Sequence, residues 1–217
     1  MKLSDILVFD TETTGIPAPG ARWDSAFADY PYIVQIAWMW AGAREPQTRI
    51  IYPDDWEVPE DAERVHGIST ERAIVEGVPF EDAAREFLAE CGRARMLCGH
   101  NIHFDTGVIK ANILRALGWS WYDAAGVEEL LYKGKRIDTM RASAEWVDAR
   151  AADGRSKFPR LTELYSRCFP GEAFPAHDAG EDVRATARCL PVLIERGLVK
   201  LEIKDYPREV PRLFGHA

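Results

Sequence analysis

The hydrophobic positions of the chain follow two periodicities. Unbroken apolar runs at Ile6–Phe9 and within Tyr32–Trp40 read as strands buried on both faces. Shorter runs at Thr48–Tyr52 and Arg95–Gly99, and an isolated Ile137, complete a set of five. The turn at Gly42 joins the second strand to the third, so the first three are expected to form an antiparallel meander. Elsewhere the spacing is helical. Phe80, Ala83, Ala84, Phe87, Leu88 and Cys91 make one apolar stripe behind Pro79. Ile109, Ile113 and Leu117 predict a helix that ends at Gly118 and has Asp105 at its start.

Local signals place the remaining elements. Ser69 can cap a short helix that stops near Gly77, and Asp138 can cap one running through Trp146. Leu161–Cys168 reads as a further short helix. Ala179, Val183, Ala187, Leu190 and Ile194 share a face of a last long helix. Asp178, with Glu181 three residues on, resembles a capping box and puts His177 just outside that helix. Residues 119–136 read as irregular or weakly helical. Ile16–Pro31, rich in Pro, Gly, Ala and Asp, is a long loop and thus a candidate functional element. The order of elements implies one α/β domain over residues 1–203, with an unassigned tail at 204–217.

Composition narrows the class. The chain has 217 residues, 47% of them apolar, enough for one sizeable core. No apolar run approaches the roughly 20 residues of a membrane span. Met1–Phe9 lacks a following small-residue cleavage site, so a cytoplasmic protein without a membrane partner is expected. Cys91, Cys98, Cys168 and Cys189 form no CxxC pair, which suits buried thiols in a reducing compartment. A net charge of -8 argues against broad electrostatic coating of DNA, yet a site that holds cations needs carboxylates.

Asp10 and Glu12 carry that possibility. They are two apart on an extended segment, so both side chains point the same way, at the end of a buried strand. Two such carboxylates are costly unless something neutralises them, and a hard divalent cation does so. Asp105 at a strand-to-helix junction and Asp182 in the first turns of a helix could reach the same edge.

VFDTETTG (Val8–Gly15), GHNIHFD (Gly99–Asp105) and HDAGED (His177–Asp182) resemble, in order, the three motifs of the DEDDh 3′–5′ exonucleases, the DnaQ-like proofreading type. IVQIA (Ile33–Ala37), VHGIS (Val65–Ser69) and IDTM (Ile137–Met140) resemble that family's second strand, substrate loop and later strand–helix junction. The resemblance spans about Leu3 to Glu195. It implies a ribonuclease H-like fold with a mixed five-stranded sheet, strands one to three antiparallel, flanked by helices. It implies that Asp10, Glu12, Asp105 and Asp182 hold two divalent metals, Mg²⁺ or Mn²⁺, roughly 4 Å apart, with His177 as general base. Thr13, His66, His100 and Asn101 match positions that touch the terminal nucleotide. The chain departs from the pattern in its long first-motif loop and at Gly180-Glu181, where relatives often carry an apolar and a small or variable residue.

The expected reaction is hydrolysis of the terminal phosphodiester of single-stranded DNA or a DNA 3′ end, releasing nucleoside 5′-monophosphates. A polymerase or repair protein is a possible partner. An RNA or oligoribonucleotide exonuclease of the same architecture stays open, as does a non-catalytic polymerase-accessory module. No GxxxxGK[ST], HExxH or GxSxG pattern supports another hydrolase class. Trp119 and Trp121 could stack on bases, but core packing or a loop anchor is expected for both. Lys133, Lys135 and Arg136, with Arg155, Lys157 and Arg160, read equally well as guides for a phosphate backbone or as solvated loops.

Overall fold

Five strands make one mixed sheet in a computed structural model that describes residues 1–131 and 136–201. They are β1 (Ile6–Thr13), β2 (Ile33–Trp40), β3 (Gln47–Ile50), β4 (Met96–Gly99) and β5 (Arg136–Asp138), in the order β3-β2-β1-β4-β5. β1 pairs antiparallel with β2, and β2 with β3, as the meander predicts. β4 and β5 add in parallel on the other side of β1. This is the expected ribonuclease H-like sheet, with the longest strands at its centre. The expected boundary at residue 203, the tail and Lys133 and Lys135 lie outside the described residues.

The helices are α1 (Glu60–His66), α2 (Thr70–Glu76), α3 (Phe80–Arg93), α4 (Ile102–Ala124), α5 (Val127–Leu130), α6 (Thr139–Val147), α7 (Leu161–Cys168) and α8 (Ala179–Glu195). Alternation along β1 divides the core between them. Leu7 and Phe9 pack with Phe87 and Leu88 of α3 and Ile109 and Ile113 of α4. Ile6 and Val8 pack with Leu164 of α7 and Val183, Ala187 and Leu190 of α8. The sheet is therefore a partition, with α3 and α4 on one side and α7 and α8 on the other.

Two segments hold more helix than the sequence pattern shows. α1 was hidden because Ala62 and His66 are its only buried residues, too few for a periodic stripe. Its end signals are nevertheless present: Glu60, Asp61 and Glu63 in the first turn, Arg64 and His66 in the last, and a left-handed Gly67 as stop. The segment after Gly118 is more ordered than its pattern suggests. Gly118, at φ 76° and ψ 171°, ends the first helical stretch of α4 as expected, and a second stretch runs on to Ala124 and is followed by α5. Tyr122, 3% exposed, anchors this extension in the core, and Trp121 packs against the same cluster.

Phe87 joins the layers on the α3 side: it is fully buried, 5.1 Å from Phe9 and 5.8 Å from Trp38 between ring centroids. Phe87→Ala should destabilise the fold by about 3–5 kcal/mol, measured by urea unfolding. A loss below about 1 kcal/mol would contradict this placement.

Candidate active site

Each carboxylate reaches the end of β1 by its own route. Asp10 and Glu12 lie on the face of β1 that α8 covers, because they share the parity of Ile6 and Val8. Asp182 stands in the first turn of α8. Ligand atoms of Asp10, Glu12 and Asp182 all lie within 4.8 Å of one another. Asp105 comes from the opposite side of the sheet. It is 3% exposed in the first turn of α4, and its Oδ1 accepts from the Thr11 backbone N–H at 3.1 Å and the Thr11 hydroxyl at 2.8 Å. Its charge nonetheless acts on Asp10.

The electrostatics of this group are one-sided. Burial, followed by the charges of Asp105, Asp182 and Glu12, raises the Asp10 carboxyl well above its ordinary value. Burial, followed by the charges of Asp182 and Asp105, pushes Glu12 up to about 8. Asp105 and Asp182 are also raised, chiefly by burial, with hydrogen bonds to Asp105 and the His177 backbone beside Asp182 working against the shift. The strongest charges acting on Asp10, Glu12 and Asp182 are all acidic. Asp182 Oδ1 is buried and has no hydrogen-bond partner among the described residues. Hard, converging oxygen donors whose strongest neighbouring charges are acidic fit divalent cations.

His177 is exposed, adopts a left-handed backbone at φ 71°, and lies immediately before the N-cap Asp178 of α8. The capping expectation holds in part: the Asp178 side chain accepts from the Glu181 N–H at 3.1 Å. His66, 7% exposed, ends α1, and His177 influences its titration. Its Nδ1 accepts from the Ile68 N–H at 3.1 Å, and the Thr13 backbone lies beside the buried ring. Thr13 sits at the end of β1 with its hydroxyl donating to the Gly15 carbonyl at 2.6 Å. His66 thus lies near Thr13, the residue after Glu12, and near His177.

His100 and Asn101 occupy the turn between β4 and α4. The His100 ring nitrogens are both engaged, with the Thr139 hydroxyl and the Pro159 carbonyl, each at 3.0 Å. That ties the turn to α6 and to the 148–160 loop, leaving no free ring nitrogen for a nucleotide. Asn101 is left-handed at φ 69°, and its N–H donates to Asp138 Oδ1 at 3.2 Å. Asp138 also caps α6 through the Met140 and Arg141 amides, which is the structural role expected for it.

The long loop folds back over α4. Asn112 Nδ2 donates to the Pro31 carbonyl at 2.9 Å, and Arg115 donates to the Phe27 and Tyr30 carbonyls at 2.7 and 2.6 Å. Trp23 stacks on Tyr122 at 5.8 Å, with Lys110 Nζ 4.5 Å from its ring. Trp23 and Tyr30 wall a cavity of about 370 Å³ that reaches Asn101. The lysine, buried and paired with Glu128 at 2.5 Å, was not singled out from the sequence, since helical spacing alone cannot show which partner a charge will meet. In the 148–160 loop, Arg150, Arg155 and Lys157 pair with Asp148, Asp153 and Glu163 at 2.5, 2.7 and 2.7 Å. These pairs favour the solvated-loop reading over a phosphate guide.

The raised carboxyls set a pH dependence. Groups that titrate higher when folded give the native state extra protons, so the stability they contribute is complete below the unfolded values and is lost as pH rises through the folded ones. His66 and His100, both depressed chiefly by burial, act in the opposite sense and only as pH falls below about 6.5. In EDTA the melting temperature should therefore fall between pH 7 and 9. Glu12→Gln should flatten the slope, and millimolar Mn²⁺ should raise the melting temperature most at pH 9. A profile that rises over this window would rule out the assignment.

Comparisons with known proteins agree with this fold. Exonuclease I from Methylocaldum szegediense superposes with a TM-score of 0.65 at 21% identity, covering 96% of this chain and 41% of that one. E. coli Exonuclease I in complex with a dA16 oligonucleotide gives 0.64 at 20%, covering 96% and 42%. An SSB/Exonuclease I structure with an inhibitor gives 0.62 at 20%, covering 88% and 43%. This likeness is one of fold, and the chain spans about two fifths of the length of those proteins. No curated protein matches the sequence. No described helix is long and apolar enough to cross a membrane. The exonuclease model of the RNase T family matches residues 7–190, which include all three motifs, and the chain belongs to that DnaQ-like exonuclease family of hydrolases.

Proposed function

We propose that the protein is a metal-dependent 3′–5′ exonuclease that removes nucleotides one at a time from single-stranded DNA, releasing nucleoside 5′-monophosphates. The observation that carries this reading is the convergence of Asp10, Glu12 and Asp182 within 4.8 Å at the end of β1. Asp105, entering from the α4 side, completes the acidic set. Two divalent ions, Mg²⁺ or Mn²⁺, held by these four carboxylates would supply Lewis-acid stabilisation of charge on the scissile phosphate.

The chain's own groups do the rest. A ring nitrogen of His177 accepts the proton of the attacking water; imidazole suits this because it can gain and lose a proton near neutral pH. The water oxygen bonds to phosphorus as the bond to the 3′ oxygen of the penultimate nucleotide breaks, and that oxygen takes up a proton from solvent. Thr13, His66 and Asn101 surround the terminal nucleotide and orient it. Because its ring is already held by Thr139 and Pro159, His100 supports that pocket through the backbone. Single-stranded DNA is favoured by the first motif's likeness to proofreading enzymes and by the dA16 oligonucleotide bound to a structural neighbour.

The test uses 5′-labelled DNA and RNA strands of matched sequence with Mg²⁺. DNA should shorten as a ladder from the 3′ end, and EDTA or Asp182→Ala should abolish it. His177→Ala should lower kcat by roughly 10²–10⁴-fold. A faster RNA ladder would reassign the substrate. No ladder on either strand, with Mn²⁺ also tried, would leave a non-catalytic binding module as the better reading.

A further inference from the structure

Gln35 interrupts the apolar run of β2, where it is 2% exposed. A polar side chain in a central strand is costly unless its hydrogen bonds are met. They are met by a single feature, the start of α8. Gln35 lies directly across from Glu12 in the β1–β2 register, so both side chains project to the face that α8 covers. Its Nε2 donates to Asp178 Oδ2 at 3.2 Å, and its Oε1 accepts from the Ala179 N–H at 2.9 Å.

These bonds complete the helix cap. Asp178 Oδ1 accepts from the Glu181 N–H at 3.1 Å, and the Asp178 carbonyl accepts from the Asp182 N–H at 2.8 Å. The Ala179 N–H, one of the donors that a helix start leaves unpaired, is satisfied by Gln35 of the strand beneath it. Gly180 permits that close approach. A Cβ there would stand 3.0 Å from Thr48 Oγ1 and 3.1 Å from Asp178 Oδ1, so the departure from the family's usual apolar residue matches the tight docking of this turn.

We propose that Gln35 is a positioning residue for the reaction, clamping the Asp178–Ala179 link and so fixing where His177 and Asp182 stand relative to Asp10 and Glu12. Among the described residues no hydrogen bond holds the His177 ring. Its placement depends on a left-handed backbone at φ 71°, next to the clamped Asp178. An apolar residue at position 35 would leave the Ala179 N–H and Asp178 Oδ2 without their partner and free the turn to relax. The catalytic consequence rests on the exonuclease reading; the clamp itself does not.

The test therefore has two readouts on the full chain: kcat and KM on a 5′-labelled single strand, and amide hydrogen exchange at Ala179 and Glu181. Gln35→Leu should lower kcat on the order of 10- to 100-fold, leave KM within about threefold, and speed exchange at Ala179. Gln35→Glu removes the donor to Asp178 and sets two carboxylates together. Asp178→Asn turns an amide toward the Gln35 amide. The double variant Gln35→Glu/Asp178→Asn restores a donor–acceptor pair at unchanged net charge, and should recover both kcat and protection relative to either single change. A Gln35→Leu enzyme with kcat within about twofold of wild type would overturn the proposal, as would a double variant no better than the poorer single. If Gln35→Leu does not fold, the double variant decides. A wild-type protein that cleaves no strand would instead remove the exonuclease reading, while exchange would still decide whether the clamp exists.

Discussion

Carboxylates confined within 4.8 Å of one another repel, and burial removes the water that would screen them. The fold nonetheless brings Asp10, Glu12 and Asp182 together, with Asp105 behind them, at the end of its central strand. The opposing force is the hydrophobic core on both sides of β1. Leu7 and Phe9 fasten the strand to α3 and α4, while Ile6 and Val8 fasten it to α7 and α8. The acids sit where the apolar alternation of that strand ends. Protons relieve the repulsion when no cation does, which is why burial and like charge raise these carboxyls.

The sheet divides the site as well as the core. Glu12 and Asp182 meet on the α8 face, whereas Asp105 approaches from the α4 face and is held by Thr11, the residue between Asp10 and Glu12. Three consecutive residues of one strand thus serve both faces, through the two-residue alternation of extended chain. The turn at His100 and Asn101 is braced from β5 and α6 by Asp138 and Thr139, so the start of α4 is fixed at several points. Opposite it, Asp178 and Gln35 fix the start of α8. Next to the braced start of α8, His177 is exposed, and among the described residues no hydrogen bond holds its ring.

Much of this was legible in local pattern. The β1 run ending in Asp-Thr-Glu, the helical stripe after Pro79, the caps at Ser69, Asp138 and Asp178, and the extent of Leu161–Cys168 all depend on neighbours in sequence, and the structure agrees with each. α1 escaped notice because end signals without an apolar stripe are weak. Gly118 does stop the helix, as its position predicts; the stretch after it reads only as weakly helical because the burial of Tyr122 that holds it is a tertiary contact.

By itself the sequence determined the strand and helix periods, the motif order and the types of ligand atom available, since each depends on spacing over a few residues. Which groups meet was decided by the tertiary structure. It brought Asp182 beside Asp10 and Glu12, closed both nitrogens of His100 onto Thr139 and Pro159, and folded the Trp23 loop over Lys110. It also gave Gln35 partners 143 and 144 residues away. The reason is that a side chain's reach is a few ångströms in space, and only packing against the sheet decides which distant residue lies within it.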